Sequence, residues 1–305
     1  MSTPCFPRAV VAGAAGGFGR AFRALLAAHG SVVTGTDRLP PEGPGDHWFV
    51  ADAAAPPPAL LTELSRTDVL VLCLPEAALY PALEPLVGAL PAGALVVDTT
   101  SVKSRYAAIA AGIRPDVELL SLEPMFAPDV GFAGQHVIAI PLRDGPRTAA
   151  FRPLLQSTGA QVTELSADEH DRHAAAAQVA VHAALLAYAA TLRRPGHHGP
   201  GGPSTPPQRA LMALLARIVT RDPGTYWHIQ RDNPYGAEAR AVVRDALTAL
   251  DETVARNDRG GFDALLADTA AAFGPDLAPM VELSDEIVRS ARAHKELSQA
   301  AGDAP

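Results

Sequence analysis

Glu123 lies in the run SLEPMFAPD, Ser121 to Asp129, where its neighbours are apolar or proline. An isolated carboxylate in such surroundings is costly to bury, so it must meet a partner or a ligand. Its chemistry is that of a general base or an ion-pair partner. Four other groups of residues carry chemical potential. Ser101 and Lys103 sit in the polar turn DTTSVKS, which suits a polar ligand, although Ser101 could simply cap a helix. His170, Gln178 and His182 share one stripe with Ala174 at a spacing of four in an Ala- and Val-rich segment. At that spacing they line one helix face, either as satisfied core groups or as a pocket wall. No Cys, Asp or Glu completes a metal ligand set with them, so no metal is expected. A glycine cluster, Gly13 to Gly19, and Asp37 complete the inventory.

The elements that must hold these residues are legible in order. Arg8 to Ala12 is a short apolar strand, followed at once by the glycine cluster and an amphipathic helix from Arg20 to His29. A second strand, Ser31 to Thr36, ends in Asp37. Strand, glycine turn, helix, strand and acidic residue in that order form a dinucleotide fingerprint, with Ala14 at the usual first glycine. Gly13, Ala14, Gly16, Phe18 and Gly19 are therefore candidate cofactor contacts. So are Asp37 and Arg38, and Leu74 and Pro75 at the end of a later strand. Asp37 would accept from ribose hydroxyls and repel a 2′-phosphate, which favours NAD over NADP; the alternative is that it caps a turn.

Further strands are expected at His47 to Val50, Asp68 to Leu74, Ala94 to Asp98, Leu119 to Ser121, His136 to Pro141 and Gln161 to Leu165. From about Ser166 the period becomes helical, beginning with one long helix from Asp168 to Leu192. The reading is an α/β, Rossmann-type, doubly wound parallel sheet over residues 1–166, then an all-α domain over 167–305 that serves dimerisation. The loop Arg193 to Pro207 contains His197 and His198, which read as solvated, and the tail SQAAGDAP reads as frayed.

The chain has 305 residues, 48% hydrophobic and 19% charged, enough for two real cores. A net charge of −8 offers no general attraction for nucleic acid or an anionic membrane, so neither is an expected partner. No signal peptide or membrane-spanning run is read from the sequence. Two cysteines cannot make a disulfide framework, and Cys73 reads as buried strand, in keeping with a reduced cytoplasm.

Taken in order, VVAGAAGGFGRAF, DTTSVKS, EPMFAPD, EHDRHAAAAQVAVH, STPPQRALMALLARIVTRDPGTYWHIQ and RGGFDALLADTAAAFG resemble the prephenate dehydrogenases across almost the whole chain. That resemblance implies an NAD-dependent oxidative decarboxylase of a dianionic cyclohexadiene. It also implies an intertwined homodimer with the active site between its domains. Ser101 matches a serine placed beside the family's base, and Gln178 and His182 match positions facing the substrate. The arginine that holds a substrate carboxylate could be Arg231, Arg240 or Arg244, and Lys103 is a further candidate.

One position departs from the pattern. In the family a histidine precedes Pro-Met-Phe and takes the proton from the C4 hydroxyl; here that residue is Glu123. A carboxylate is a weaker base than imidazole and adds charge beside a dianion, so the exchange suits prephenate poorly. It suits a C4 ammonium, which a buried carboxylate can both pair with and deprotonate. The expected substrate is thus 4-amino-4-deoxyprephenate, yielding 4-aminophenylpyruvate, a precursor of 4-aminophenylalanine in secondary metabolism. The competing readings are a prephenate or arogenate dehydrogenase, and a non-catalytic NAD-binding sensor.

Overall fold

The computed structural model describes residues 5–41, 43, 47–195 and 202–302, with side chains to Ala291. His197 and His198 lie outside the described residues. The chain divides into two compact units. The first is Met1–Ala174 with Trp227–Pro234, and the second is Ala175–Tyr226 with Tyr235–Pro305. The division falls at Ala174 rather than at residue 166. The first helical turns after the sheet pack on the first unit, and a later segment returns to it.

In the first unit, apolar β-branched runs alternate with helices. In chain order these are β1 (Arg8–Ala12), α1 (Gly17–Ala28), β2 (Val32–Asp37), β3 (His47–Val50), α2 (Pro58–Leu64), β4 (Val69–Leu72) and α3 (Glu76–Gly88). Then come β5 (Leu95–Asp98), α4 (Lys103–Ala110), β6 (Glu118–Pro124), β7 (His136–Arg143), α5 (Pro146–Gln156) and β8 (Gln161–Glu164). The eight strands form one sheet in the order β3-β2-β1-β4-β5-β6-β7-β8. Strands β4 and β5 are buried at every residue, as expected of strands covered on both faces. Phe22, Leu26, Val97, Leu120 and Phe151 belong to the core on one face; Leu70, Leu83, Val96 and Tyr106 belong to that on the other.

Three details differ from the sequence reading. The sheet is parallel from β3 to β6, but β7 runs antiparallel to β6. The connection between them carries no helix, and a parallel return needs a long crossover. β6 also continues through Glu123 to Pro124, so Glu123 is a strand residue, paired with Ile138. Cys73 is half-buried, just past β4.

The helical region comprises α6 (Ala167–Ala174), a π-helical segment (Ala175–Ala180), α7 (Val181–Ala189) and a 3₁₀ turn (Ala190–Arg193). After these come α8 (Pro206–Val219), α9 (Pro223–Asp232), α10 (Gly236–Ala255), α11 (Arg259–Phe273) and α12 (Leu277–Gly302). The tail expected to fray is helical as far as Gly302. Within the second unit α8 packs on α12, and α10 on the π segment and on α11. Among the described residues one helix, Ala167–Arg193, has the length and mean hydropathy (27 residues, 1.5) of a membrane span, which the sequence reading had not identified. Only 17% of its most apolar window is buried within the chain.

Candidate active site

The glycine turn is shaped by backbone packing. Gly13 has φ +77°, and a Cβ there would lie 2.1 Å from the Cys73 carbonyl oxygen. A Cβ on Gly19 would lie 2.1 Å from the Gly13 carbonyl oxygen. Both positions exclude any other residue, which fixes the tight strand-to-helix passage that a dinucleotide needs. Gly16 precedes α1 with no side-chain cap, and the first turn carries no acidic residue. The amide dipoles there are left to meet an anion such as a pyrophosphate. Ala14 is buried, and Phe18 packs edge-to-face on Phe126 at 5.8 Å. At the end of β2, Asp37 accepts from the Ala15 amide at 3.0 Å and the Leu39 amide at 3.1 Å. It therefore lies against the glycine turn, where a ribose would meet it, and Arg38 beside it is exposed. Leu74 is half-buried and Pro75 exposed at the end of β4. These residues fit NAD.

Glu123 is 6% exposed. β6 pairs with β5 so that Ser121 lies beside Asp98, which puts Glu123 and the following Ser101 turn at the same carboxyl edge. Asp98 shapes that turn by accepting from the Thr100 amide at 2.9 Å and hydroxyl at 2.6 Å. Ser101 itself is half-buried. Lys103 is fully buried, and its ammonium lies 3.7 Å from Glu123 Oε2. The same ammonium donates to the carbonyls of Leu122, at 2.8 Å, and of Thr100.

Asp171, wholly buried on α6, holds the start of α4. It accepts from the amides of Lys103 and Ser104, each at 2.9 Å, and from His170 Nδ1 at 2.9 Å. Burial alone would raise its carboxyl, but the bonds from His170, Ser104 and Lys103 outweigh that and hold it below the usual carboxylate range. Asn233 donates to the Asp171 carbonyl at 2.8 Å, tying the returning segment to the same point. His170 is thus a buried group of the first unit, bound to Asp171 through Nδ1, while its Nε2 meets no hydrogen-bond partner among the described residues.

A second ionic cluster lies where α3, α4 and α9 meet. Asp232 accepts from Arg105 at 2.6 Å, from His228 at 2.8 Å and from Arg231 through Nε at 2.5 Å and Nη2 at 2.6 Å. Burial opposes its charge, yet Arg231, His228 and Arg105 bring its carboxyl to about 2. Nearby Glu76 is pushed up by burial and makes no side-chain hydrogen bond. Among the described residues Glu76, His228 and Asp232 bring ligand atoms within 4.8 Å of one another. Arg105 already supplies the cation there, so the cluster reads as an ion-pair network. Arg231 is committed to Asp232.

In the second unit Gln178 lies half-buried in the π segment, an irregularity frequent at functional sites. His182 packs edge-to-face on Tyr226 at 5.0 Å, and burial lowers its tendency to protonate. Arg240 and Arg244 are exposed on α10 and border a groove of about 510 Å³ with Ala183, Ala187 and Leu247.

The sequence reading missed Asp171, Glu76 and Asp232. Only Asp171 gave a signal, as a carboxylate on the face of a helix that must be buried.

No protein-family model matches the chain. It is 37% identical over 284 residues to a 4-amino-4-deoxyprephenate dehydrogenase of Streptomyces pristinaespiralis, covering 91% of this chain and 95% of that one. It is 24% identical over 230 residues to a probable arogenate/prephenate dehydrogenase of Methanocaldococcus jannaschii, covering 73% of this chain and 52% of that one. Its fold matches that of prephenate dehydrogenase from Aquifex aeolicus, solved with hydroxyphenyl propionate and NAD+. The TM-score is 0.70 at 18% identity, covering 90% and 98% of the two chains.

Proposed function

The chain belongs to the prephenate dehydrogenase family, and from that premise we propose that it converts 4-amino-4-deoxyprephenate to 4-aminophenylpyruvate, carbon dioxide and NADH. It is an NAD-dependent dehydrogenase; NAD supplies the acceptor for the hydride that leaves ring carbon C4. The observation that carries the choice of substrate is the buried carboxylate of Glu123 at the end of β6, a position where the resemblance implies a histidine. The name of the Streptomyces relative points the same way.

In this reading Glu123 pairs with the C4 ammonium and accepts one of its protons, which frees the nitrogen lone pair. Electron density from nitrogen then expels the hydride, and loss of the ring carboxylate makes the ring aromatic. Ser101 orients the C4 substituent from the adjacent strand end. Gln178 and His182 contribute substrate contacts, His182 as a neutral imidazole. A substrate carboxylate is assigned to an arginine of α10, Arg240 or Arg244, of which Arg244 also pairs with Asp245; Arg231 binds Asp232, and Lys103 is enclosed. A substrate with only a hydroxyl at C4 leaves the carboxylate without its cation, which penalises prephenate.

The test is NADH formation with 4-amino-4-deoxyprephenate and prephenate side by side near neutral pH. The amino substrate is expected to show the higher kcat/KM, by about 10²-fold or more, the scale of one buried charge pair. Equal or better use of prephenate removes the amino reading, and silence with both despite NAD binding favours a sensor.

We further propose a homodimer formed through the second unit. Leu186, Leu214, Val242, Leu247, Leu266 and Val281 are all exposed there, apolar side chains that an interface between two copies would cover. Light scattering at micromolar concentration should return twice the chain mass of 31.7 kDa. A monomer would refute this.

A further inference from the structure

The three contacts of the Lys103 ammonium share a pattern. It donates to the carbonyl of Thr100, the residue before Ser101, and to that of Leu122, the residue before Glu123. It also stands 3.7 Å from the Glu123 carboxylate, and its side chain has no exposure at all. An ammonium enclosed in this way cannot reach out to a substrate carboxylate. It can set the distance between two strand ends and the charge of the group beside it.

We infer that Lys103 is the positioning residue of this active site: it staples the Ser101 turn to the Glu123 strand and keeps Glu123 anionic. The inference rests on the reading of Glu123 as the group that meets C4. Lys103 is itself aimed by its neighbours. Asp171 accepts from the Lys103 amide at Oδ1 and the Ser104 amide at Oδ2, and His170 Nδ1 donates to the same Oδ1 as Lys103. Asp98 also lies at this edge, and its Oδ1 is taken by Thr100. The arrangement explains why a buried Glu can replace an imidazole here. Burial favours the neutral acid, which could neither pair with an ammonium nor take its proton, and the adjacent cation offsets that tendency. It also ties geometry to charge, because the donors that fix the backbone on either side come from the same nitrogen as the charge.

The test compares Lys103→Met, Glu123→Gln and the double variant, using whichever of the two C4 substrates the wild type turns over faster. A wild type that prefers prephenate would refute the amino reading without touching the Lys103–Glu123 pair. For Lys103→Met, kcat should fall about tenfold or more with the NAD dissociation constant unchanged. The acidic limb of its kcat–pH profile should move up by about one pH unit or more, as expected when a carboxylate loses an adjacent cation. The double variant should be no slower than Glu123→Gln alone, because the lysine acts through the glutamate. An unmoved limb, or losses that multiply in the double variant, would overturn the inference. Should Lys103→Met not fold, the wild type still decides. Isotope-edited infrared difference spectra, assigned with Glu123→Gln, should show Glu123 as carboxylate at neutral pH, and a protonated acid band there would overturn it.

Discussion

Glu123→Gln lowers kcat for the amino substrate by about 10²–10⁴-fold and leaves NAD affinity unchanged, the range set by loss of a general base. Glutamine keeps the shape of the side chain but can neither pair with an ammonium nor accept its proton. The cofactor elements, Gly13 to Gly19 and Asp37, lie on other strands and turns, so cofactor binding is spared. Glu123→His makes the complementary change. An imidazole, with an ordinary pKa of about 6.5, is neutral at working pH and competent to deprotonate a hydroxyl. The ratio of kcat/KM for prephenate to that for the amino substrate is expected to rise by at least about tenfold, since the lost charge pair penalises one substrate and the gained base assists the other. Steady-state NADH formation with both substrates reads each outcome. Retention of most activity in Glu123→Gln would mean that Glu123 is not the group at C4.

Removing the Asp171 carboxylate has the largest expected effect on stability. In Asp171→Ala the buried Lys103 amide and His170 Nδ1 proton and the half-buried Ser104 amide all lose their acceptor. Breaking one side of such a buried network costs about 3–5 kcal/mol, or a fall in Tm on the order of 10 °C. The pH dependence follows from the depressed carboxyl of Asp171. Its contribution is complete above the ordinary aspartate value of about 3.9 and is lost as pH falls through the lower folded value. Urea denaturation from neutral to acid pH should therefore show wild type and Asp171→Ala converging only in acid. Equal stability at neutral pH would show that the carboxylate holds nothing.

The sequence made much of this visible because the relevant signals are local. Strand runs such as Val69–Leu72 and Leu95–Asp98 are continuous apolar segments bounded by turn residues, and the glycine turn sits between unmistakable neighbours. Helix ends are marked by proline, glycine or aspartate, as at Pro206 and Asp258. What escaped depends on distance in the chain. No local pattern could reveal that Asp171 meets Lys103 and Ser104, or that Asp232 meets Arg105. The antiparallel return of β7 escaped because strand direction is set by the connection, not by the strand. Lys103 looked like a ligand contact because a lysine in a polar turn usually reaches solvent, and only the fold shows it enclosed.

The loop after Glu123 is pressed onto the glycine turn. A Cβ on Gly17 would lie 2.4 Å from Pro128, and Phe126 packs between Phe18 and Phe132. A change at Phe126 or Pro128 would therefore disturb the cofactor turn as well. Glu123 stands just before that loop, in a strand whose backbone is held by Ile138 and by the lysine beneath it. Under the proposed function, the residue that meets the substrate thus belongs to a different element from the glycine turn. Under that same proposal, a change of one residue trades oxygen for nitrogen at C4 and leaves the glycine turn as it was.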